Sequence, residues 1–256
     1  MNRNYLLQLL KNGKRIDGRD LLEFRKIKAE INKIKKAEGS ALINIGNTSV
    51  IAGVKLSIDE PFKDSPTEGI LIVESEFSPV ASPEFEPGPP TEDSIELARV
   101  VDRGIRESKL IDVEKLCIKE GEKVWTCNID IHILNNDGNL IDAAFLASVL
   151  ALKNAKLPEY DIEKDEINRE NLLSPLPLKN YFPLMITVCK LDDYLFLDPT
   201  YDEEEFLESK VSICVRDDNV ITAVQKQNSY GIEFEKLEEI FSIAMKSREK
   251  ILSNIT

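Results

Sequence analysis

Residues 140–152, LIDAAFLASVLAL, place the tightest limit on how this chain can fold, because at helical spacing they are apolar around nearly the whole circumference. Such a helix must be enclosed on all sides. A bilayer is not the enclosing medium: a crossing takes about 18 consecutive apolar residues, and no run in the chain reaches that length. Protein therefore has to surround it, and 256 residues with 42% apolar content supply enough material for layers on two sides.

Both flanks of this helix read as strand-rich. Upstream, residues 27–35, 41–45, 49–58 and 69–80 carry strand patterns broken by the turn signals Glu38-Gly39-Ser40 and Gly46-Asn47-Thr48. Strands at 115–119 and 124–134 lead to the turn Asn135-Asn136-Asp137-Gly138 and so into the apolar helix. Downstream, 184–190, 194–197, 211–215 and 220–225 read as strands, and 233–252 as a helix with Leu237, Ile240, Phe241, Ala244 and Ile251 on one face. A short amphipathic helix is expected at 2–11. Residues 81–91, with four prolines, read as a surface loop, and the proline-dotted stretch 156–182 as irregular. The order predicts an α+β fold of two β-rich units, residues 1–157 and 183–256, joined by a linker at 158–182.

The net charge of −13 argues against a general nucleic-acid binder. It is unevenly spread: residues 1–36 hold 11 Lys and Arg against 4 Asp and Glu. Such asymmetry suits an interaction surface, and equally a solvated face. Cys117, Cys127, Cys189 and Cys214, with the lone His132, lack the close spacing of a metal site and read as core or strand residues. No metal or cofactor is expected. The first residues show no secretory pattern, so a cytoplasmic location is expected and a membrane partner is not.

The helix expected at 92–109 carries the most informative pattern. Thr91 reads as its N-cap, with Glu92 and Asp93 at its positive end. At 100° per residue Arg99, Arg103 and Arg106 fall within about 60° of one another. Leu97, Val101, Gly104, Ile105 and Ser108 gather on the opposite side. Gly104 there implies a close approach to a neighbouring element, since glycine costs about 1 kcal/mol inside a helix. The three arginines suit either a solvated face paired with Glu96 and Asp102, or an anion clamp, for which the planar guanidinium fork is better than lysine's point charge.

Several segments, in order, resemble the RNase PH family of phosphorolytic exoribonucleases. ELARVVDRGIR (96–106) is similar to that family's helix of RNA- and phosphate-contacting arginines, and GSALINIGNTSV (39–50) to its first strand pair. RIDGR (15–19) resembles its entry motif, DGNLIDAAFLASVLAL (137–152) its buried helix, and Leu197-Asp198 with Tyr201 and an acidic run the strand end that bears catalytic acids. The resemblance implies an RNase PH fold with a ribosomal protein S5 domain 2-like first unit.

The departures from the family pattern imply a different role. Gapless matching from Asp137-Gly138 puts Leu140 and Ile141 where active members keep a hydroxyl and an arginine on the attacking phosphate, and Lys210 where they keep the proton-donating aspartate. Glu203, Glu204, Glu205 and Glu208 read as a solvated acidic patch or, alternatively, a metal-binding pair. Arginines kept and phosphate grip lost is similar to the inactive ring subunits of the archaeal exosome. By that resemblance the chain is not an enzyme on its own. It would alternate with a catalytic RNase PH-like partner in a hetero-hexamer, a trimer of heterodimers under RNA-binding cap subunits. Arg99, Arg103 and Arg106 would hold single-stranded RNA there. The N-terminal basic stretch would meet the partner or a cap. Alternatives are an active phosphorolytic 3′-to-5′ exoribonuclease, a scaffold without RNA contact, and a small-molecule kinase, against which NNDGNL lacks the glycines and serine of a nucleotide loop.

Overall fold

The computed structural model describes residues 2–256. Five α-helices and twelve strands form two sheets and a separate hairpin among the described residues. A helix α1 (Arg3–Lys11) precedes the first sheet. That sheet contains β1 (Ile27–Ile31), β2 (Gly39–Ile45), β3 (Thr48–Asp59), β4 (Ile70–Phe77), β5 (Cys117–Lys119) and β6 (Lys123–Asn135). Its order is β1-β2-β3-β6-β4, antiparallel except where β4 runs parallel to β6, with β5 also pairing β6. The strand expected to reach residue 35 stops at Ile31, because Asn32 takes a left-handed φ of 56° that ends extended structure.

Between β4 and β5 runs α2 (Glu92–Glu107), capped as expected: the Thr91 side chain accepts the Ser94 N–H at 3.3 Å. After β6 comes α3 (Leu140–Asn154), the apolar helix. It packs on β2 and β3 of the first sheet, on α2 beside it, and on β9 (Leu184–Leu191) of the second sheet. That is the enclosure its composition demands. The second sheet has the order β10-β9-β11-β12, with β10 (Tyr194–Leu197), β11 (Ser209–Val215) and β12 (Ile221–Gln227). Every residue of β9 is buried, with α5 (Phe234–Ser253) also packing against β9 and β11.

The predicted α+β class is what the structure shows. Residues expected as an irregular linker hold instead a hairpin of β7 (Lys156–Asp161) and β8 (Glu166–Pro175). Ion pairs fasten it to the first sheet: Arg169 to the buried Glu38, and Lys123 to Asp165. Polar, exposed strands of this kind lack the apolar alternation that makes a strand visible in sequence. A four-residue helix α4 (Tyr201–Glu204) closes the loop after β10. Cys127, Cys189 and Cys214 are buried, while Cys117 is only half-buried; burial pushes the Cys127 thiol to about 12. His132 lies on an exposed face, its Nδ1 at 3.3 Å from Glu76.

Candidate functional site

The outer face of α2 presents all three arginines to solvent, because its apolar positions, Leu97, Val101, Gly104 and Ile105, are pressed into the core. The three are not equivalent. Arg106 is paired with Asp102 one turn back at 2.8 Å and donates to the Leu71 carbonyl at 3.2 Å. Arg99 and Arg103 make no hydrogen bond or ion pair among the described residues, and together line a shallow groove between α2 and Gln225 of β12. Two free guanidinium groups in one groove can take a polyanion's phosphates.

A deeper cleft of about 440 Å³ opens beside this groove, where the start of α3 meets the second sheet. Leu140, Ile141 and Lys210 all line it. The structure thus brings Lys210 to the adjacent pair Leu140 and Ile141, about 70 residues earlier in the chain. Glu84 comes from the proline-rich loop, Asp93 and Glu96 from α2, and Glu204 and Glu205 from the end of α4, so five carboxylates face one ammonium. Lys210 Nζ lies 3.3 Å from Glu204. Burial works against its charge, but Glu204 and other neighbours outweigh burial and raise its pKa above the ordinary lysine value. It is a fixed cation.

The rim of the cleft is built on a tight contact. Gly138, at φ +81°, lies where any Cβ would meet the backbone of Pro199 and Thr200. Asn139 and Asp198 follow in left-handed conformations, and Asn139 Nδ2 donates to Asp198 Oδ1 at 2.8 Å. Asp198 is fully buried. It also accepts from Arg25 Nε, Nη2 and backbone N, and from Arg19 Nη1, at 2.8–2.9 Å. Burial alone would raise its pKa, but these arginines hold it below the usual carboxylate range. The strand-end acid is therefore a structural anion.

The expectation of a solvated acidic patch formed by Glu203, Glu204, Glu205 and Glu208 is corrected at Glu203 and Glu208, while Glu205 is exposed as expected. Glu203 is fully buried, accepts from Arg15 through both carboxylate oxygens, and caps α4 through the Thr200 N–H at 2.9 Å. Glu208 pairs with Arg3 and Lys190. Glu203 and Glu208 are engaged by Arg15 and Arg3, which fold back from the N-terminal stretch, whereas Glu204 pairs with Lys210 and Glu205 stays exposed. Among the described residues, no group of three or more His, Cys, Asp or Glu side chains is arranged to hold a metal. Arg15, itself 1% exposed and stacked 4.4 Å over the Phe196 ring, shows that part of the basic stretch faces inward. Its place in RIDGR was the only sequence signal for that; the convergence of five carboxylates from three segments had none.

Comparison with known proteins places this geometry. Models of domain 1 and domain 2 of the 3′ exoribonuclease family match residues 23–158 and 181–247. The exosome complex component Rrp42 of Methanopyrus kandleri is 44% identical over 252 residues, covering 98% of this chain and 94% of that protein. The component of the same name from Methanothermobacter thermautotrophicus is 46% identical over 254 residues, covering 98% and 93%. A chain in the structure of the Archaeoglobus fulgidus exosome with RNA bound to the active site superposes with a TM-score of 0.90 at 42% identity, covering 98% of this chain and 96% of that one.

Proposed function

This chain belongs to the 3′ exoribonuclease family of RNase PH fold, and on that premise we propose that it is a non-catalytic, RNA-holding ring subunit of an archaeal exosome. The observation that carries this is the lining of the cleft, where Leu140, Ile141 and Lys210 stand among five carboxylates. Phosphorolysis needs an inorganic phosphate dianion held in line with the scissile bond, and an acid to protonate the leaving oxygen. Two aliphatic side chains donate no hydrogen bond, the carboxylates repel a dianion, and a lysine held charged gives up no proton near neutral pH. Asp198 is tied up in its arginine clasp.

The similarity to exosome components supports assembly with a catalytic RNase PH-like subunit into an alternating hetero-hexamer, with RNA-binding cap subunits on one face. Residues 1–157 and 183–256 are its two domains, joined through 158–182. Single-stranded RNA is held on Arg99, Arg103 and Arg106 at a composite site whose chemistry the partner supplies. The overall acidity confines RNA to this stripe.

Incubated alone with poly(A) and inorganic phosphate, the chain is expected to release no nucleoside diphosphates; their release would make it an active phosphorolytic enzyme instead. In the reconstituted complex, Arg99→Glu and Arg103→Glu should each weaken RNA binding and reduce its log–log salt slope by about one. Arg106→Glu should do less, because its guanidinium is already engaged by Asp102 and Leu71. Unchanged RNA binding in all three would leave the arginines as surface charge on a scaffold.

A further inference from the structure

The cleft is more than an emptied phosphorolytic pocket, because its chemistry is inverted. Five carboxylates face a single ammonium that is already paired. Two further residues of its wall, Asn139 and Gln227, are at least nine-tenths buried, and each has a side-chain oxygen with no donor. The orientation of both amides is set: Asn139 Nδ2 donates to Asp198, and Gln227 Nε2 to Glu96 at 3.1 Å. Rotating either amide would turn its oxygen toward a carboxylate. Both free atoms are therefore acceptors, and an unpaired buried acceptor is destabilising until a donor reaches it.

Part of the remaining wall is apolar, alongside the polar Asn136, Thr187, Tyr201 and Asn228. Phe77 and Phe85 stack with ring centroids 4.6 Å apart, beside Leu97, Leu140 and Ile141. Aromatic faces attract ammonium groups, and aliphatic side chains suit methylene chains. A bare metal ion fits poorly, since no metal-holding cluster exists among the described residues. We propose that this cleft binds a linear organic polycation of the polyamine class, its ammonium groups on the carboxylates and free amide oxygens and its methylenes against the apolar wall. The idea rests on the reading that the cleft takes no phosphate.

The test is titration calorimetry and thermal melting of the full chain, alone and in the reconstituted complex. Spermidine is the probe, with magnesium chloride and sodium phosphate as controls at matched ionic strength. Spermidine should bind one site per chain in both settings and raise the Tm. Glu84→Gln combined with Glu205→Gln, two exposed positions whose change leaves the core untouched, should weaken binding by about tenfold or more. An equal shift from magnesium would reduce the effect to generic counterion binding and overturn the proposal. So would an unchanged affinity in the double variant. Binding to the isolated chain that vanishes in the complex would assign the cleft to a basic side chain of the partner. Phosphate binding would overturn the functional reading itself, whereas neither ligand binding would overturn only the polyamine site.

Discussion

Two buried aspartates respond to their surroundings in opposite ways. Asp198 meets arginines and its pKa falls; Asp142, in the first turn of α3, meets only neutral donors. Asp142 accepts the Thr187 N–H at 3.0 Å and the Thr187 hydroxyl at 2.7 Å, and that hydroxyl lies 2.8 Å from Ser212 Oγ. Burial pushes its pKa up to about 7, against the pull of the Thr187 bonds. The folded chain therefore binds a proton that the unfolded chain releases near its ordinary value of about 4. The contribution to stability is full below that lower value and is lost as pH rises through about 7. Asp142→Asn preserves shape and the accepting oxygen but cannot ionise. Its Tm should fall less than the wild type's between about pH 5 and pH 8; parallel profiles in circular dichroism melts would show that Asp142 does not titrate there.

Among the elements, α2 carries the most roles in the fewest residues. One face bears the three exposed arginines, the other is pressed so closely into the core that a Cβ on Gly104 would collide with Phe145 of α3 and Met185 of β9. The close approach implied by a glycine at a buried helical position is thus real, and its partners come from both units. Alanine would gain about 1 kcal/mol of helix propensity, yet overpacking a filled interior costs about 1–3 kcal/mol. Gly104→Ala is expected to lower stability on balance, read as an earlier midpoint in urea. A later midpoint would mean that Phe145 and Met185 can move aside.

Across the whole molecule, the two units share one interior. Val101, Ile105 and Phe145 from the first pack in a single cluster with Met185, Ile186 and Ile213 from the second. Asp198, from the second unit, is held by Arg19 and Arg25 from the N-terminal stretch and by Asn139 from the first unit. Unfolding should therefore be one cooperative event. The fluorescence of Trp125, the sole tryptophan, lies in the first sheet; its urea transition should coincide with that of far-UV circular dichroism. Asp198→Ala, which leaves Arg19 and Arg25 only the more exposed Asp17 and Asp137 as partners, should shift both probes together by about 3 kcal/mol. Separate transitions would show two independently stable units.

Periodicity alone was enough to establish the α+β class, the enclosed helix, the capped arginine helix and most strands, because those patterns are local: which residues are apolar, and at what spacing, depends on nothing distant. The collinear motifs placed Leu140, Ile141 and Lys210 as candidate substitutions, although nothing local to any one of them indicated that they share a wall. The hairpin at 156–175 escaped notice since its strands are polar, and Glu203 and Glu208 looked solvated since their arginine partners lie far away in the chain, Arg15 to Glu203 being 188 apart and Arg3 to Glu208 205 apart. Burial, ion pairing and the gathering of five carboxylates into one cleft are properties of three-dimensional neighbours, and only the packing of two sheets around α2 and α3 decided them.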